Sequence, residues 1–275
     1  MKKTMLSLLA FAAFTVLAAG SAFAASAAGS GIYQTPHDLN FKLGPAVEDV
    51  QDRLCAYCHT PHHAYTANDP APIGPVLAAS GYAPLWSHGV STANYTPYAS
   101  DSFDPKGGQS MAGDPLIGPS RLCMSCHDGT VALDTYYGAT GTHFISNGAN
   151  TYFGSMPLIE LDGVKTHPIG FDATAVDTGG AQADSHLWAN YLDKQFRGNA
   201  NTLTPRSRLF ANQYFTCSTC HDVHNKLNDT AASIVTGTQN YFLLGGQTNS
   251  ALCITCHNQA ETAYGTVPVT NGSPL

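Results

Sequence analysis

Charged side chains are scarce in this sequence: Asp, Glu, Lys and Arg together make up 11% of its 275 residues. This is less than half of the roughly 25% that is usual for soluble domains. Basic residues are the scarcer of the two signs, with 12 against 19 acidic ones and a formal charge of -7. A chain without basic clusters lacks the attraction that nucleic acid and anionic membrane surfaces exert on their partners. We therefore predict that it binds neither.

Long hydrophobic runs are also rare, and the only one lies at the N-terminus. A charged start at residues 1–3, an apolar run over 6–19 and a small-residue exit at 22–24 are typical of a secretory signal peptide. The run is shorter than the roughly 20 apolar residues that a bilayer span needs. We predict a signal peptide over residues 1–24 and a mature chain over 25–275 without a membrane span.

No cysteine stands near the predicted cleavage site, because the first one in the sequence is Cys55. The mature N-terminus therefore has no thiol to carry a lipid. We expect an exported protein at the outer cell surface or in the extracellular space, with the periplasm as the alternative.

All eight cysteines belong to four C-x-x-C-H motifs: motif 1 at residues 55–59, motif 2 at 123–127, motif 3 at 217–221 and motif 4 at 253–257. This spacing is the attachment signature of c-type haem. The predicted attachment residues are Cys55, Cys58, Cys123, Cys126, Cys217, Cys220, Cys253 and Cys256, and the predicted proximal iron ligands are His59, His127, His221 and His257.

Three other uses of cysteine fit the pattern less well. An even number of cysteines in an exported chain ordinarily indicates disulfides, but four identical units do not look like a disulfide framework. Pairs of C-x-x-C also bind zinc, yet zinc does not require a histidine after each pair. A thioredoxin-like redox site would be one motif in an α/β pattern.

The haem interpretation has a geometric basis. Two thiols must reach the two vinyl groups on one edge of the porphyrin, and the next residue must turn its imidazole beneath the ring to the iron. We therefore predict four covalently attached haem c groups, whose flat macrocycles substitute for a hydrophobic core.

The second axial position decides what each iron can do. Eight histidines remain for it: His37, His62, His63, His88, His143, His167, His186 and His224. His62 and His224 each follow a proximal histidine by three residues. A side chain so close to the proximal ligand cannot reach the opposite face of the same haem. It can bind only the iron of a neighbouring haem.

Several segments together resemble a known family, namely residues 36–39, 55–62, 83–86, 123–131, 167–171 and 220–224. From about residue 31 to 257 the chain resembles the small multihaem cytochromes of metal-respiring bacteria. More closely, it is similar to the outer-surface tetrahaem cytochromes that polymerise into extracellular filaments, the OmcE-like cytochrome nanowires.

The resemblance implies that two histidines hold every iron. It implies the distal set His37, His62, His167 and His224, which includes both third-position histidines. In that family one histidine crosses a subunit boundary, and His37 and His62 are the candidates here.

The leftover residues have simpler interpretations. His63 is an exposed neighbour of His62 or its replacement as ligand. We expect His88, His143 and His186 at the surface, and Trp86 against a porphyrin face.

Glycine and proline supply 26 and 16 positions, which favours a loop-rich fold. We expect a multihaem cytochrome c fold, mostly coil with short α-helices at the motifs and a core of four stacked haems. Few strands are expected, around 163–171 or 236–244. A finer expectation divides the chain into lobes 31–140 and 141–275.

Irons held by two imidazoles have no open position for a substrate and carry electrons at low potential. The leading prediction is therefore an electron carrier and not an enzyme: an extracellular filament of copies of this chain that passes electrons from redox partner cytochromes to an external acceptor. A monomeric periplasmic shuttle is the first alternative. The second is a multihaem oxyanion reductase with one open haem site.

Overall fold

The computed structural model of the chain describes residues 31–40, 48–98, 114–145, 159, 166–177, 179–180, 183–198, 202–224 and 241–258. Over these residues the backbone is mostly turn and coil, with short helices and no extended strand. The expectation of a coil-rich chain with short α-helices is thus confirmed. The predicted signal peptide lies outside the described residues.

The described α-helices are α1 (Ile73–Ser80), α2 (Pro119–His127), α3 (Ala173–Val176), α4 (Cys217–Cys220) and α5 (Cys253–Cys256). Short 3₁₀ helices cover Tyr191–Asp193, Arg206–Arg208 and Thr248–Ser250. Helices α2, α4 and α5 lie at motifs 2, 3 and 4, as predicted, whereas residues 55–58 of motif 1 form turns and no helix. None of the helices in the described part of the chain is long and apolar enough to cross a membrane.

Local sequence accounts for several helix ends. Proline occupies the first position of α2, where its missing N–H costs nothing and its fixed φ suits a helix. The carboxylate of Asp172 caps α3 by accepting hydrogen bonds from the N–H groups of Thr174 and Ala175, at 2.9 and 3.1 Å. Helix α1 ends at Gly81, whose φ of 67° is the left-handed conformation that glycine adopts without cost.

Isolated bridges take the place of strands in the described residues. The described parts of the two regions where strands were expected, 166–171 and 241–244, contain no strand. Their neighbourhood holds only the bridges Asp172–Tyr214 and His221–Leu243. The backbone explains the difference: Gly170 has a φ of 78°, and Tyr241 and Phe242 have φ values of 53° and 60°, which are incompatible with an extended chain. Residues 163–165 and 236–240 lie outside the described residues.

Among the described residues, the hydrophobic core is divided into three small clusters, and each borders attachment cysteines. One groups Leu39, Tyr57, Leu133 and Ile145 with Cys58 and Cys126; a second groups Leu77, Trp86, Val90 and Leu122 with Cys58; a third groups Phe171, Ala173, Val176, Tyr191, Leu192, Leu209 and Phe215 with Cys220 and Cys256. The apolar side chains thus gather around the motifs. The predicted haem core and the predicted lobes remain predictions.

Candidate haem site

The attachment motifs share one local backbone geometry. The N–H of the motif histidine donates to the carbonyl of the first cysteine four residues earlier, at 2.8 Å for His59, 3.0 Å for His221 and 2.9 Å for His257. Motif 2 forms the end of α2. Because side chains four residues apart lie on the same face of a helical turn, this geometry brings the first cysteine and the histidine of a motif together.

Cysteines of consecutive motifs lie near one another, from motif 1 to motif 4. Cys58 of motif 1 and Cys126 of motif 2 border the same apolar cluster. The thiol of Cys123 in motif 2 is hydrogen-bonded to that of Cys217 in motif 3. Cys220 of motif 3 and Cys256 of motif 4 pack against another shared cluster.

None of the eight cysteines forms a disulfide, and all eight lie in the described residues. Burial raises the pKa of four of them to about 12, so they are protonated thiols at neutral pH: Cys58, Cys126, Cys220 and Cys256. The hydrogen bond with Cys217 raises the pKa of Cys123 as well.

Three motif histidines each face a histidine from outside the motifs. The ring centres are 6.2 Å apart for His59 and His224, 6.0 Å for His127 and His37, and 6.2 Å for His257 and His167. Two imidazoles that bind one metal from opposite sides, each at about 2 Å from nitrogen to metal, have ring centres roughly 6 Å apart. The spacing therefore fits an iron porphyrin held between each pair.

Hydrogen bonds fix the tautomer of several of these imidazoles. The Nδ1 atoms of His59, His221 and His167 lie 2.6, 2.8 and 2.9 Å from the backbone oxygens of Pro84, Tyr241 and Pro168. A carbonyl oxygen only accepts, so each Nδ1 carries the hydrogen and leaves Nε2 with its lone pair. This is the arrangement by which a backbone carbonyl orients a metal-binding imidazole.

His37 is held in the neutral form that a metal ligand requires. Burial, together with the nearby imidazoles of His127, His221 and His224, lowers its pKa to about 3. The ring of Phe242 packs edge-on against it, with 4.5 Å between ring centres.

Within the part of the chain that the structure describes, His221 and His62 are the two predicted ligands that face no second imidazole. Among the residues that the structure describes, no other imidazole faces His221 as His224 faces His59. His62 is exposed. Its neighbour His63 lies against Tyr137, with 5.3 Å between the ring centres, which makes His62 the better candidate of the two as ligand.

The expected surface position of His88 is wrong. This side chain is 1% exposed, its Nδ1 donates to the oxygen of Gly89 at 2.7 Å, and its Nε2 lies 3.7 Å from the sulfur of Cys126. A backbone bridge between His88 and Tyr136 covers the segment. The hydrogen-bond acceptor that allows the burial is a backbone carbonyl, which every residue carries, so no sequence pattern indicates it.

Two other expectations can be compared with the structure. His143 and His186 are exposed, as predicted, and lie 2.9 and 3.0 Å from the carboxylates of Asp134 and Asp184. Trp86 is buried with its ring edge-on to that of His59, at 5.7 Å between centres. Its contact with a porphyrin stays a prediction.

Within the described residues, no three His, Cys, Asp or Glu side chains converge as direct ligands of a single ion. Three pairs of imidazoles instead face each other, with 6.0–6.2 Å between ring centres. Comparison with known proteins adds no family: no protein-family model matches the chain, and no curated protein matches it.

Proposed function

We propose that this chain is a secreted tetrahaem c-type cytochrome that carries electrons. The observation that supports this most directly is the pairing of imidazoles. Three histidines that follow a C-x-x-C pair each face a second histidine at a distance suited to one intervening iron. The four attachment motifs supply the covalent bonds.

The bound haem supplies one-electron exchange between its ferrous and ferric states. The residues of the chain hold it and close both of its faces. Imidazoles on both sides leave no position for a substrate, so each iron that is held in this way exchanges electrons and does not bind small molecules. The carbonyls that accept hydrogen bonds from His59, His167 and His221 make these imidazoles more basic, so they would donate an electron pair to the iron more strongly.

The order of the motifs favours a conduit. Cysteines of motifs 1 and 2 border one apolar cluster, cysteines of motifs 3 and 4 border another, and Cys123 of motif 2 lies against Cys217 of motif 3. Haems attached at these cysteines would form one row in which each lies next to the following one. Electrons from a redox partner cytochrome would enter at one end and leave for an extracellular acceptor at the other.

The two predicted ligands that face no second imidazole in the described residues, His221 and His62, support a polymer. Because His37 already faces His127 within the chain, His62 is the better candidate for a ligand that crosses between copies. The haem of motif 3, with His221 beneath it, needs a second imidazole, and His62 is exposed. We propose that His62 of one copy binds the motif 3 iron of the next, so that haem ligation and filament assembly are one event.

The same feature favours one alternative. In an isolated chain the haem at His221 would lack a histidine on its distal face, and an open iron is what an oxyanion reductase requires. A monomeric shuttle differs from this reductase by having all four irons closed.

Mass spectrometry of the matured protein, electron microscopy and ferric spectra separate these functions. We expect the added mass of four haems, filaments, and low-spin spectra without carbon monoxide binding. Unmodified thiols, disulfides or zinc would contradict the haem proposal. Monomers with four closed irons would indicate the shuttle, and monomers with a high-spin iron that binds carbon monoxide would indicate the reductase.

A further inference from the structure

The backbone around motif 1 is repeated around motif 3. His59 and His221 donate from Nδ1 to a carbonyl that lies 25 and 20 residues further along the chain, those of Pro84 and Tyr241. Each histidine then forms a single-residue antiparallel bridge two residues beyond that carbonyl, to Trp86 and Leu243 respectively.

The likeness extends to the flanking hydrogen bonds. The N–H of the residue after each histidine donates to a carbonyl at 2.9 Å, from Thr60 to Leu85 and from Asp222 to Phe242. Leu85 and Phe242 both have left-handed φ values, 54° and 60°. A bulky residue seldom adopts this conformation, so its occurrence at matching positions indicates a shared local fold.

Motifs 2 and 4 match in the sequence that precedes them and in one hydrogen bond, although Asn249 and Ser250 have left-handed φ values of 53° and 58° where Pro119 and Ser120 are helical. The residues before them read Ser-x-Leu-Cys at 120–123 and again at 250–253. The hydroxyl of Ser125 donates to the carbonyl four residues earlier at 3.0 Å, and the hydroxyl of Thr255 does the same at 3.0 Å.

The histidine pairs complete the repeat. His37, upstream of motif 1, faces the histidine of motif 2, and His167, upstream of motif 3, faces the histidine of motif 4. The chain thus consists of two similar units. The first unit comprises His37 with motifs 1 and 2, and the second comprises His167 with motifs 3 and 4.

The two units meet at one join inside the chain. There the first cysteine of motif 2, Cys123, lies against the first cysteine of motif 3, Cys217. The N–H of Cys217 donates to the hydroxyl of Ser120 at 3.1 Å. His224 of the second unit faces His59 of the first.

Among the described residues, the equivalent groups at motifs 1 and 4 do not take part in such a join. Cys253 corresponds to Cys123 and Cys55 to Cys217, and these two are the exposed cysteines of the eight. His62 corresponds to His224, and it is exposed as well. No partner for the hydroxyl of Ser250, which corresponds to that of Ser120, is present among the described residues.

We infer that copies of this chain join head to tail by repeating the join between its own two units. Cys253 of one copy then lies against Cys55 of the next, whose N–H donates to Ser250, and His62 of the next copy faces His221. Such a contact joins two different surfaces of the chain, so each copy can bind a further one. The assembly is a filament because the rotation from one copy to the next does not close a ring. This inference rests on the proposed polymer and specifies its interface.

At one pair of positions, the residues at the internal join differ from those at the inferred join between copies, and this difference provides a test. Gly118 lies against Phe210 at the internal join, where a Cβ on Gly118 would come within 2.6 Å of the aromatic ring. The equivalent positions are Thr248, two residues before Ser250, and Glu48, seven before Cys55. Both are exposed. The join between copies would thus place Thr248 beside Glu48 of the next copy.

The test is a charge introduced at Thr248 and then reversed on the other side. In Thr248→Glu two carboxylates would meet, so we expect matured protein with four haems that no longer forms filaments. Adding Glu48→Lys to this variant should restore the filaments. Ala79→Glu, at an exposed position on α1, is the control that should assemble normally.

Filaments of Thr248→Glu that are as long as those of the wild type would overturn the inferred join while leaving the polymer proposal intact. Loss of filaments without rescue by Glu48→Lys would overturn it too. A cryo-EM map of the wild-type filament is the second measurement, in which the rotation between units should be alike within and between copies. If the wild type is monomeric, the polymer proposal itself fails.

Discussion

At the scale of single residues, the position of His224 indicates which of the proposed haems its imidazole would bind. It follows His221 by three residues, yet its ring faces that of His59, 6.2 Å away between centres. Sequence spacing predicts that His224 binds the iron of a neighbouring haem and does not identify that haem. The fold identifies it, because motif 3 lies beside motif 2 and the residue after its end, His224, lies beside motif 1.

We therefore expect His224→Met to change the haem attached at Cys55 and Cys58. Methionine in place of an imidazole raises the reduction potential, so one of the four potentials should rise. Paramagnetic NMR can assign the altered haem, because its methyl groups should show contacts to residues of motif 1. The exposed His186→Met is the control. A change confined to the haem of motif 3 would contradict the facing pair.

Asp49 is the clearest source of a pH-dependent stability. Its carboxylate accepts two hydrogen bonds from the guanidinium of Arg53, at 2.9 and 2.7 Å, and one from the hydroxyl of Tyr136 at 3.1 Å. These bonds hold the pKa of Asp49 well below its usual value of 3.8. Because the folded state favours the charged form, this contribution is complete above the usual value and is lost as the pH falls below it.

Asp49→Asn should therefore lower the free energy of unfolding at pH 7. Hydrogen bonds to charged groups contribute about 1.5–3 kcal/mol, and solvent screening of the exposed Arg53 reduces this to about 1 kcal/mol. Urea unfolding followed by circular dichroism, repeated down to pH 3, should show the difference between variant and wild type shrinking. Asp52→Asn, at an exposed neighbouring position, should change little. A difference that is constant with pH would argue against the charged pair.

At the scale of secondary structure elements, the start of α2 depends on one glycine. Gly118 has a φ of 60° and a ψ of -138°, a conformation that is accessible chiefly to glycine. It also lies in direct contact with the ring of Phe210. Both features fix how motif 2 approaches motif 3.

Gly118→Ala should destabilise the fold by about 2–3 kcal/mol, since backbone strain and overlap with Phe210 add together. Gly138→Ala separates the two causes: its φ is 74°, but nothing lies within 4 Å of the added Cβ. We expect about 1 kcal/mol for that control. The urea midpoints measure both. Equal losses in the two variants would mean that the contact with Phe210 does not matter.

The sequence predicted the elements that covalent chemistry dictates and missed those that the backbone provides. Helical turns at the motifs follow from the C-x-x-C-H spacing, and α2, α4 and α5 lie there. The carbonyls of Pro84 and Tyr241 that orient two imidazoles had no sequence signal, because any residue carries a carbonyl. Two signs of similar units are present in the sequence: the third-position histidines His62 and His224 after motifs 1 and 3, and the Ser-x-Leu-Cys segments before motifs 2 and 4.

At the scale of the whole molecule, the small apolar clusters and the cysteines describe the same architecture. No cluster in the described residues is large, and each borders thiols that are predicted to carry haem. A chain built in this way would obtain its core from the cofactors. Its end surfaces would then be unfinished haem sites, and a second copy of the chain has the groups that complete them.

The last prediction separates ligation from assembly by removing His62. His62→Ala should retain four covalent haems, because His62 is not part of an attachment motif, but it should yield monomers in which the motif 3 iron lacks its second imidazole. That iron should then become high-spin and bind carbon monoxide. Free imidazole should restore the low-spin spectrum without restoring filaments, since it supplies the ligand and not the connection between copies. His63→Ala is the matched control and should behave as the wild type. If His62→Ala still forms filaments with four low-spin irons, another residue completes the site, and the assignment of the crossing ligand to His62 is wrong.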